Sequence, residues 1–455
     1  MERQAPASPG RRTLLDRAGS TARPSRSAHG ISRFETYERA NTVTRRVVIT
    51  GVGAVSPLGI GAETLWRELL AGHSGIRTIQ NFDTSDLEVK IAGEVPDFVP
   101  KDHMNAKLAK RMARFAQFAV AASREAIENA GLAINDDNRE RVGIVLNTGG
   151  GGVPLIEEET RNSLAIGRRG VGPFLIPMFA PNMASSQVGI SFGIKGPTMT
   201  SVAACAAGTQ AFVDAVHTLE RGDADVILTG GTEAALSPVA LTSLAHMGAL
   251  SRWDGDPGAA SRPFDANRNG FVFSEGAVVM VLETEEHALA RGATPIAVAS
   301  GGAYTADAFH LTAPDPSGES AARAMTLAVR RSGLQPEEID YIAAHATATQ
   351  IGDAAETKAI RKAFAGHADA LTISANKSMI GHLLGAAGAV SAMACVFAIR
   401  DGKIPPTINL ETPDPMCDLN YTPNVMRELP VRAALANGFG FGGQNACAVF
   451  RAWDG

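Results

Sequence analysis

Ser201-Val202-Ala203-Ala204-Cys205-Ala206-Ala207-Gly208-Thr209-Gln210 decides how the rest of the chain is read. Residues 199–204 are small or apolar, a cysteine follows, and a helical pattern starts at once. Phe212, Val216 and Leu219 fall at i, i+4 and i+7, and Gly222 supplies a stop. The pattern predicts a strand-to-helix turn at Cys205, with free backbone N–H groups and the positive end of a helix dipole beside the thiol. Such a place lowers a thiol's pKa, and the thiolate is the nucleophilic form. Free cysteine is also among the most buried residue types, and is then inert. This stretch alone leaves both readings open.

Outward from it, composition bounds the class. A chain of 455 residues is too long for one small core, so two domains or one large double structure is expected. Hydrophobic content of 45%, charged content of 20% and a net charge of −5 describe a soluble globular protein, with no basic footprint for nucleic acid or an anionic membrane. Aromatic content of 5% leaves little to stack on bases. Cys205, Cys395, Cys417 and Cys447 lack CxxC spacing, which argues against a metal site or a disulfide framework and for a reducing compartment. The uncharged run 383–399 is interrupted by Gly and Ser and is slightly short for a bilayer span. It is expected to be a buried helix, with no membrane insertion.

Residues 1–44 hold eight Arg against four acidic residues and no apolar stretch of signal-peptide length. They are expected to form a disordered N-terminal extension. A cytoplasmic location is expected, or an organellar stroma or matrix if the extension is a transit peptide. From Arg45 onward, short apolar runs (47–50, 142–146, 226–229, 277–282, 296–299, 341–344, 371–373 and 446–450) alternate with helical patterns such as 107–130 and 319–332. Several runs lead into expected glycine-rich turns, among them Gly51-Val52-Gly53 and Gly230-Gly231. Apolar runs without strict alternation indicate sheets buried on both faces, hence an α/β protein with layered helices. A midpoint near 285–300 divides an N-terminal half, 45–290, from a C-terminal half, 291–455; no tandem repeat of roughly 20–50 residues is visible.

Three motif matches lose their force in context. Gly189-Ile190-Ser191-Phe192-Gly193 fits G-x-S-x-G, but Gly196-Pro197 follows too soon for the helix a nucleophile elbow needs. Asp265 to Gly270 opens like a calcium loop, yet the position that must carry a carboxylate is Gly276. Gly51-Val52-Gly53 lacks the third glycine of a dinucleotide fingerprint, since position 56 is Ser56.

The C-terminal half supplies partners for Cys205. His345 lies in Ala343-Ala344-His345-Ala346-Thr347-Ala348-Thr349, and His382 closes Asn376-Lys377-Ser378-Met379-Ile380-Gly381-His382. Each sits near a strand-to-helix junction among small residues that leave room for a ligand. With Cys205 they make a candidate Cys-His-His set for acyl transfer. A fourth stretch, Asn437-Gly438-Phe439-Gly440-Phe441-Gly442-Gly443-Gln444-Asn445, has the glycine density that lets a backbone approach a substrate and aim N–H groups at an oxyanion.

From Arg45 to the C-terminus the chain resembles the elongating type II β-ketoacyl-[acyl-carrier-protein] synthases of the thiolase-like superfamily. The matching segments are Ile49 to Gly59, Gly172-Pro173-Phe174 to Asn182-Met183, Ala204-Cys205-Ala206, Ser261 to Asp265, His345-x-Thr347-x-Thr349, Lys377 to His382 and Gly438 to Gly443. The resemblance implies a five-layer α-β-α-β-α fold of two similar halves, forming a homodimer. It implies that Cys205 takes an acyl chain from an acyl carrier protein, and that His345 and His382 support decarboxylation of malonyl-carrier protein. Lys377 would order the site, Phe441 would gate the acyl pocket, and Thr312, Thr347 and Thr349 would meet the pantetheine arm. No metal and no resident cofactor is implied, because the phosphopantetheine arrives on the carrier protein. The thioester oxyanion would sit on the backbone N–H groups of Cys205 and Phe441.

Three positions depart from the family pattern. The glycine usual after the first histidine is Ala346, a threonine near the cysteine is Ala207, and a glutamate in the helix after the second histidine is Ser391. The first two are expected to alter pocket shape or carrier contacts; the third removes an expected charge partner of Lys377. A non-catalytic chain-length partner of the same fold lacks the nucleophile, which Cys205 argues against. A biosynthetic thiolase would want a second cysteine where Phe439 and Phe441 stand. A ketosynthase subunit of a type II polyketide pathway shares the chemistry, and these residues do not separate it.

Overall fold

Five strands from each half of the sequence carry the architecture of the computed structural model, which describes residues 45–455. The first half contributes β1 (Val47–Ser56), β2 (Val142–Asn147), β3 (Thr198–Met199), β4 (Val226–Glu233) and β5 (Gly276–Thr284). The second contributes β6 (Ala297–Ala306), β7 (Tyr341–Ala343), β8 (Thr372–Ser374), β9 (Ala433–Gly440) and β10 (Gln444–Arg451). Their spatial order is β3-β2-β4-β5-β1 in one half and β8-β7-β9-β10-β6 in the other, the same permutation twice. In both, the first strand and the fifth run antiparallel, as do the fifth and fourth, while the other neighbours are parallel. The halves meet where β1 and β6 pair over Val48↔Val298 and Ile49↔Ala297.

Helices are inserted at matching places: α1 (Arg114–Asn129), α2 (Met183–Phe192) and α3 (Ala207–Glu220) in the first half, α4 (Glu319–Arg331), α5 (Gln350–Phe364) and α6 (Ala387–Asp401) in the second. α1 and α2 cover one sheet, α4 and α5 cover the other, and α3 packs against α6 between them. This is the expected five-layer α-β-α-β-α arrangement. The apolar run 383–399 becomes most of α6, in which every residue from Ala387 to Ala398 is buried. A helix apolar on all sides belongs in such a central layer. The expected extension, 1–44, lies outside the described residues.

Two glycine pairs expected to form turns lie inside strands. β1 continues through Gly51-Val52-Gly53 after a register shift between Ile49 and Gly51; a Cβ on Gly51 would fall 2.2 Å from Ala126 O and one on Gly53 2.1 Å from Ala122 O. These glycines let α1 press against the strand. β4 likewise continues through Gly230-Gly231 to Glu233. The expected helix over 107–130 is broken at 110–113 and restarts at Arg114, which turns inward to donate to buried Glu275 and to Val95 O. Ser191 lies within α2, so no nucleophile elbow forms there.

Candidate active site

The turn after β3 delivers the cysteine. β3 ends at Met199, residues 200–203 connect, and one tight turn, Ala204–Ala206, runs into α3. Ala204 holds φ +46, a left-handed conformation that costs an alanine on the order of 1 kcal/mol or more. Asn147, the last residue of β2, spans the turn: its Oδ1 accepts from Ser201 N–H at 2.7 Å and its amide donates to Ala207 O at 2.9 Å. Cys205 reaches the wall of a cavity of about 390 Å³ and is 7% exposed. Burial pushes its thiol up to about 12, while the Lys377 cation and the backbone N–H groups of Phe441 and Cys205 itself pull it down. The lowering expected at a helix start is therefore outweighed by desolvation, and the resting residue is a thiol.

Both histidines line the same cavity. His345 follows β7, and His382 follows the short helix Lys377–Ile380. Their ring centroids are 5.4 Å apart and the rings nearly perpendicular, at 86°. Desolvation first, then the Lys377 cation, hold both well below the ordinary histidine range. Two neutral imidazoles result, each with one N–H to donate.

Lys377 is buried, and burial lowers its pKa to about 8 against the pull of Glu356, Cys205 and Asp353. Ser391 lies buried in α6 and carries no charge, and the carboxylates that pull on Lys377 electrostatically, Asp353 and Glu356, stand on α5. Glu356 accepts from His345 N–H at 2.8 Å, from Ala346 N–H at 2.7 Å and from the Asn437 amide at 2.9 Å. Burial raises its pKa. Ala346, where the family has glycine, adopts φ +30, and Ala348 adopts φ +64. The Glu356 bonds hold this strained loop in place.

Thr347 and Thr349 bring their hydroxyls to 3.1 Å, and Thr349 Oγ1 also accepts Gly352 N–H at 3.2 Å to cap α5. Thr312 donates its N–H to His310 Nδ1 at 3.1 Å. All three threonines and Phe441 line the cavity. Phe441 sits in the tight turn joining β9 to β10, whose Gly440 lies so close to Cys205 that an added Cβ would fall 3.0 Å from Cys205 N. Among the described residues, no group of three or more His, Cys, Asp or Glu is placed to share a metal ion.

The loop that opened like a calcium site braces the cavity instead. Ser261 Oγ donates to Lys377 O at 2.7 Å, and Phe264 N–H donates to Asp353 Oδ2 at 2.8 Å. Asp265 Oδ2 accepts from the N–H groups of Glu411 and Thr412, at 2.8 and 2.7 Å. Buried Arg268 donates to Thr349 O and Gln350 O and pairs with Asp414 at 2.6 Å. Sequence reasoning missed Glu356, Asn437, Asp353 and Arg268 as site-forming residues. For the two acids the available signal was a carboxylate among the small residues that follow His345.

Known proteins match the chain over most of its length. The β-ketoacyl synthase N-terminal domain matches residues 44–288 and the β-ketoacyl synthase C-terminal domain residues 296–411. A 3-oxoacyl-[acyl-carrier-protein] synthase 2 of Synechocystis sp. is 46% identical over 415 residues, covering 91% of this chain and all of that protein. Among solved structures, the ishigamide ketosynthase/chain length factor superposes with a TM-score of 0.85 at 36% identity, over 90% of this chain and 100% of that one. A type II polyketide acyl-carrier protein in complex with its ketosynthase, bound to the hexaketide, superposes with a TM-score of 0.83 at 31% identity, again over 90% and 100%.

Proposed function

The chain belongs to the β-ketoacyl synthase family, and from that premise we propose that it is an acyltransferase condensing malonyl-carrier protein with an acyl chain held on Cys205. The products are 3-oxoacyl-carrier protein and CO2, in fatty acid elongation. One observation carries the reading: a buried thiol, two neutral histidines and the Phe441 turn share one cavity.

In the first step the Cys205 sulfur attacks the acyl thioester, and the pantetheine sulfur leaves. The proton of the resting thiol ends on that departing sulfur, so acylation needs no net proton change. Charge developing on the carbonyl oxygen is met by the N–H groups of Cys205 and Phe441. In the second step malonyl-carrier protein loses CO2, and the enolate oxygen is met by N–H donors of His345 and His382. The enolate carbon attacks the Cys205 thioester, and the released sulfur takes up one proton. Covalent capture divides one difficult condensation into two easier steps. Lys377, buried within the electrostatic reach of Glu356 and Asp353, would order the polar wall behind the histidines. Thr312, Thr347 and Thr349, which line the cavity, would bond a pantetheine arm arriving on the acyl carrier protein, and the proposed reaction calls for no other cofactor.

We also propose a homodimer. β3 is a sheet edge with both residues exposed, and the same stretch of chain exposes Leu164, Ile166, Ile176, Ile190 and Val202. An apolar edge of this kind is ordinarily covered. A polyketide ketosynthase subunit is the second reading, favoured by the two structural relatives.

The test is to incubate the purified protein with acyl-carrier protein and map the label by mass spectrometry. Acylation of Cys205 is expected; label on another residue, or none on an active sample, refutes the proposal. Carrier proteins bearing short, medium and long chains then measure the chain-length preference.

A further inference from the structure

Asn437 ties two walls of the cavity together. It lies on β9, the strand that leads into the Phe441 turn, and it is fully buried. Its amide donates to Glu356 Oε1 at 2.9 Å, and the same carboxylate accepts the His345 and Ala346 N–H groups at 2.8 and 2.7 Å. Glu356 thus gathers three donors, two from the histidine loop and one from the strand of the Phe441 turn. The Asn437 amide also approaches Met325 Sδ at 3.6 Å, a weak acceptor.

The direction of that amide is set from the next strand. Cys447 on β10 is paired in register with Asn437, so the two side chains share one face of the sheet. Cys447 Sγ lies 3.2 Å from Asn437 Oδ1, and because a carbonyl oxygen only accepts, the thiol donates. Turning the amide over would set its oxygen against the Glu356 carboxylate and its NH2 against a sulfur that accepts weakly. The carboxylate on one side and the thiol hydrogen on the other therefore select the same orientation. The loop needs a firm hold, since Ala346 and Ala348 sit at φ +30 and +64, left-handed values that strain a residue with a Cβ. His345 begins this loop, with its ring 5.5 Å from Phe439 on β9 and 5.4 Å from His382.

We propose that Asn437 is a positioning residue for His345, acting through Glu356, with the Cys447 thiol fixing the direction of its amide. The chain from Cys447 through Asn437 to Glu356 keeps the His345 loop at the spacing from His382 at which both imidazoles meet one enolate oxygen. The effect on rate rests on the condensation reading; the hold on the loop is read without the reaction, so the two can fail separately.

Cys447→Ser keeps a donor beside Asn437 Oδ1, Cys447→Ala removes it, and Asn437→Ala removes the bond to Glu356. Two steps are timed apart: acylation of Cys205 by intact mass at saturating carrier protein, and CO2 release from malonyl-carrier protein by protein already acylated. Cys447→Ala should slow CO2 release about tenfold and Asn437→Ala about 10²-fold, the scale set by a reacting group displaced by about an ångström. Acylation in both, and CO2 release in Cys447→Ser, should stay within about threefold of the original. Equal CO2 release by the serine and alanine variants at 447 overturns the proposal, since packing alone would give that result. Acylation slowed as much as decarboxylation overturns it too. Hydrogen exchange of the peptide carrying the His345 and Ala346 amides is the second measurement. It should be faster in Cys447→Ala than in Cys447→Ser, and equal exchange overturns the hold on the loop whether or not the protein condenses its carriers. A protein of original sequence that neither acylates nor releases CO2 refutes the condensation reading, while a difference in exchange would still support the hold on His345. If Asn437→Ala does not fold, the two Cys447 variants carry the test.

Discussion

Gly440→Ala adds one methyl where the glycine turn meets the nucleophile, and its consequence can be worked from contacts. The methyl would lie 2.8 Å from Ala203 O, 3.0 Å from Cys205 N and 3.1 Å from Ala206 N. Relaxed contacts of a carbon atom lie at about 3.5 Å or more, so some part of the backbone must yield by roughly half an ångström. Gly440 is not in the left-handed region, so alanine is not strained by its own φ. The Cys205 side is held by Asn147 across the turn, and the Gly440 side by pairing with Gln444. Any displacement therefore separates the Phe441 N–H from the sulfur it serves. Removing one oxyanion donor costs about 3–4 kcal/mol, or 10²–10³ in rate, whereas overpacking of this size costs roughly 1–3 kcal/mol in stability. Acylation of Cys205, followed by rapid quench and intact mass, should slow by about 10²-fold in a protein that still melts cooperatively. Gly366→Ala, where an added methyl meets nothing within 4 Å, should acylate at the original rate. A folded Gly440→Ala protein acylating within about threefold of the original would refute the assignment of this turn to the oxyanion.

Other perturbations separate the remaining roles. His382→Ala should leave acylation within a few-fold while slowing malonyl decarboxylation by about 10²-fold or more; loss of acylation instead would assign that histidine to the first step. Thr349→Ala removes the cap on α5 and should lower stability by about 1 kcal/mol in chemical denaturation, together with a raised KM for malonyl-carrier protein. A stability effect with unchanged KM would remove Thr349 from the pantetheine contacts. Far from the cavity, buried Glu283 accepts from Arg291, His287 and Thr50. Desolvation would raise its pKa, but those bonds hold it at about 2 instead of 4.5. A depressed folded pKa gives stability that is complete above about 4.5 and lost as pH falls toward 2. Glu283→Gln should thus be less stable at pH 7 by about 3 kcal/mol, the gap narrowing by roughly 2 kcal/mol at about pH 3; a constant gap in urea titrations would contradict the assignment.

The reading from sequence succeeded where a residue's type stated its chemistry and failed where spacing alone had to stand for geometry. Cys205, His345 and His382 were visible because each is a reactive side chain among alanines and glycines at the end of an apolar run. Lys377, Phe441 and the threonines came only with the family resemblance. Glycine misled twice: Gly51-Val52-Gly53 and Gly230-Gly231 looked like turns, yet their lack of a side chain serves close packing of α1 on β1, of Gly230 on β5 and of Gly231 on the turn that enters α6. That distinction depends on what lies across the strand, which a local window does not contain. The pKa lowering expected at Cys205 is outweighed for a similar reason, since the helix start is local while burial depends on the whole fold. Glu356 was missed because its contribution is to bond two backbone N–H groups eleven and ten residues earlier, which a carboxylate among small residues signals only weakly.

The duplication explains why these long-range terms dominate. Each half alone has a complete sheet order and a central helix, yet neither has a complete site. The thiol and its strained turn come from the first half, and the histidines, the lysine and the Phe441 turn come from the second. The matching turns that enter α3 and α6, where Ala204 and Leu384 hold φ +46 and +42, have diverged at single positions: cysteine against Gly385 at the helix starts, Glu233 against Gly440 at the strand ends. The side chain absent at Gly440 leaves space in front of Cys205 N–H, while at the matching place Glu233 accepts from Gly385 N–H. Separation of the halves should therefore abolish acylation even where each fragment retains its sheet, because the N–H groups proposed to meet the oxyanion, those of Cys205 and Phe441, belong to different halves.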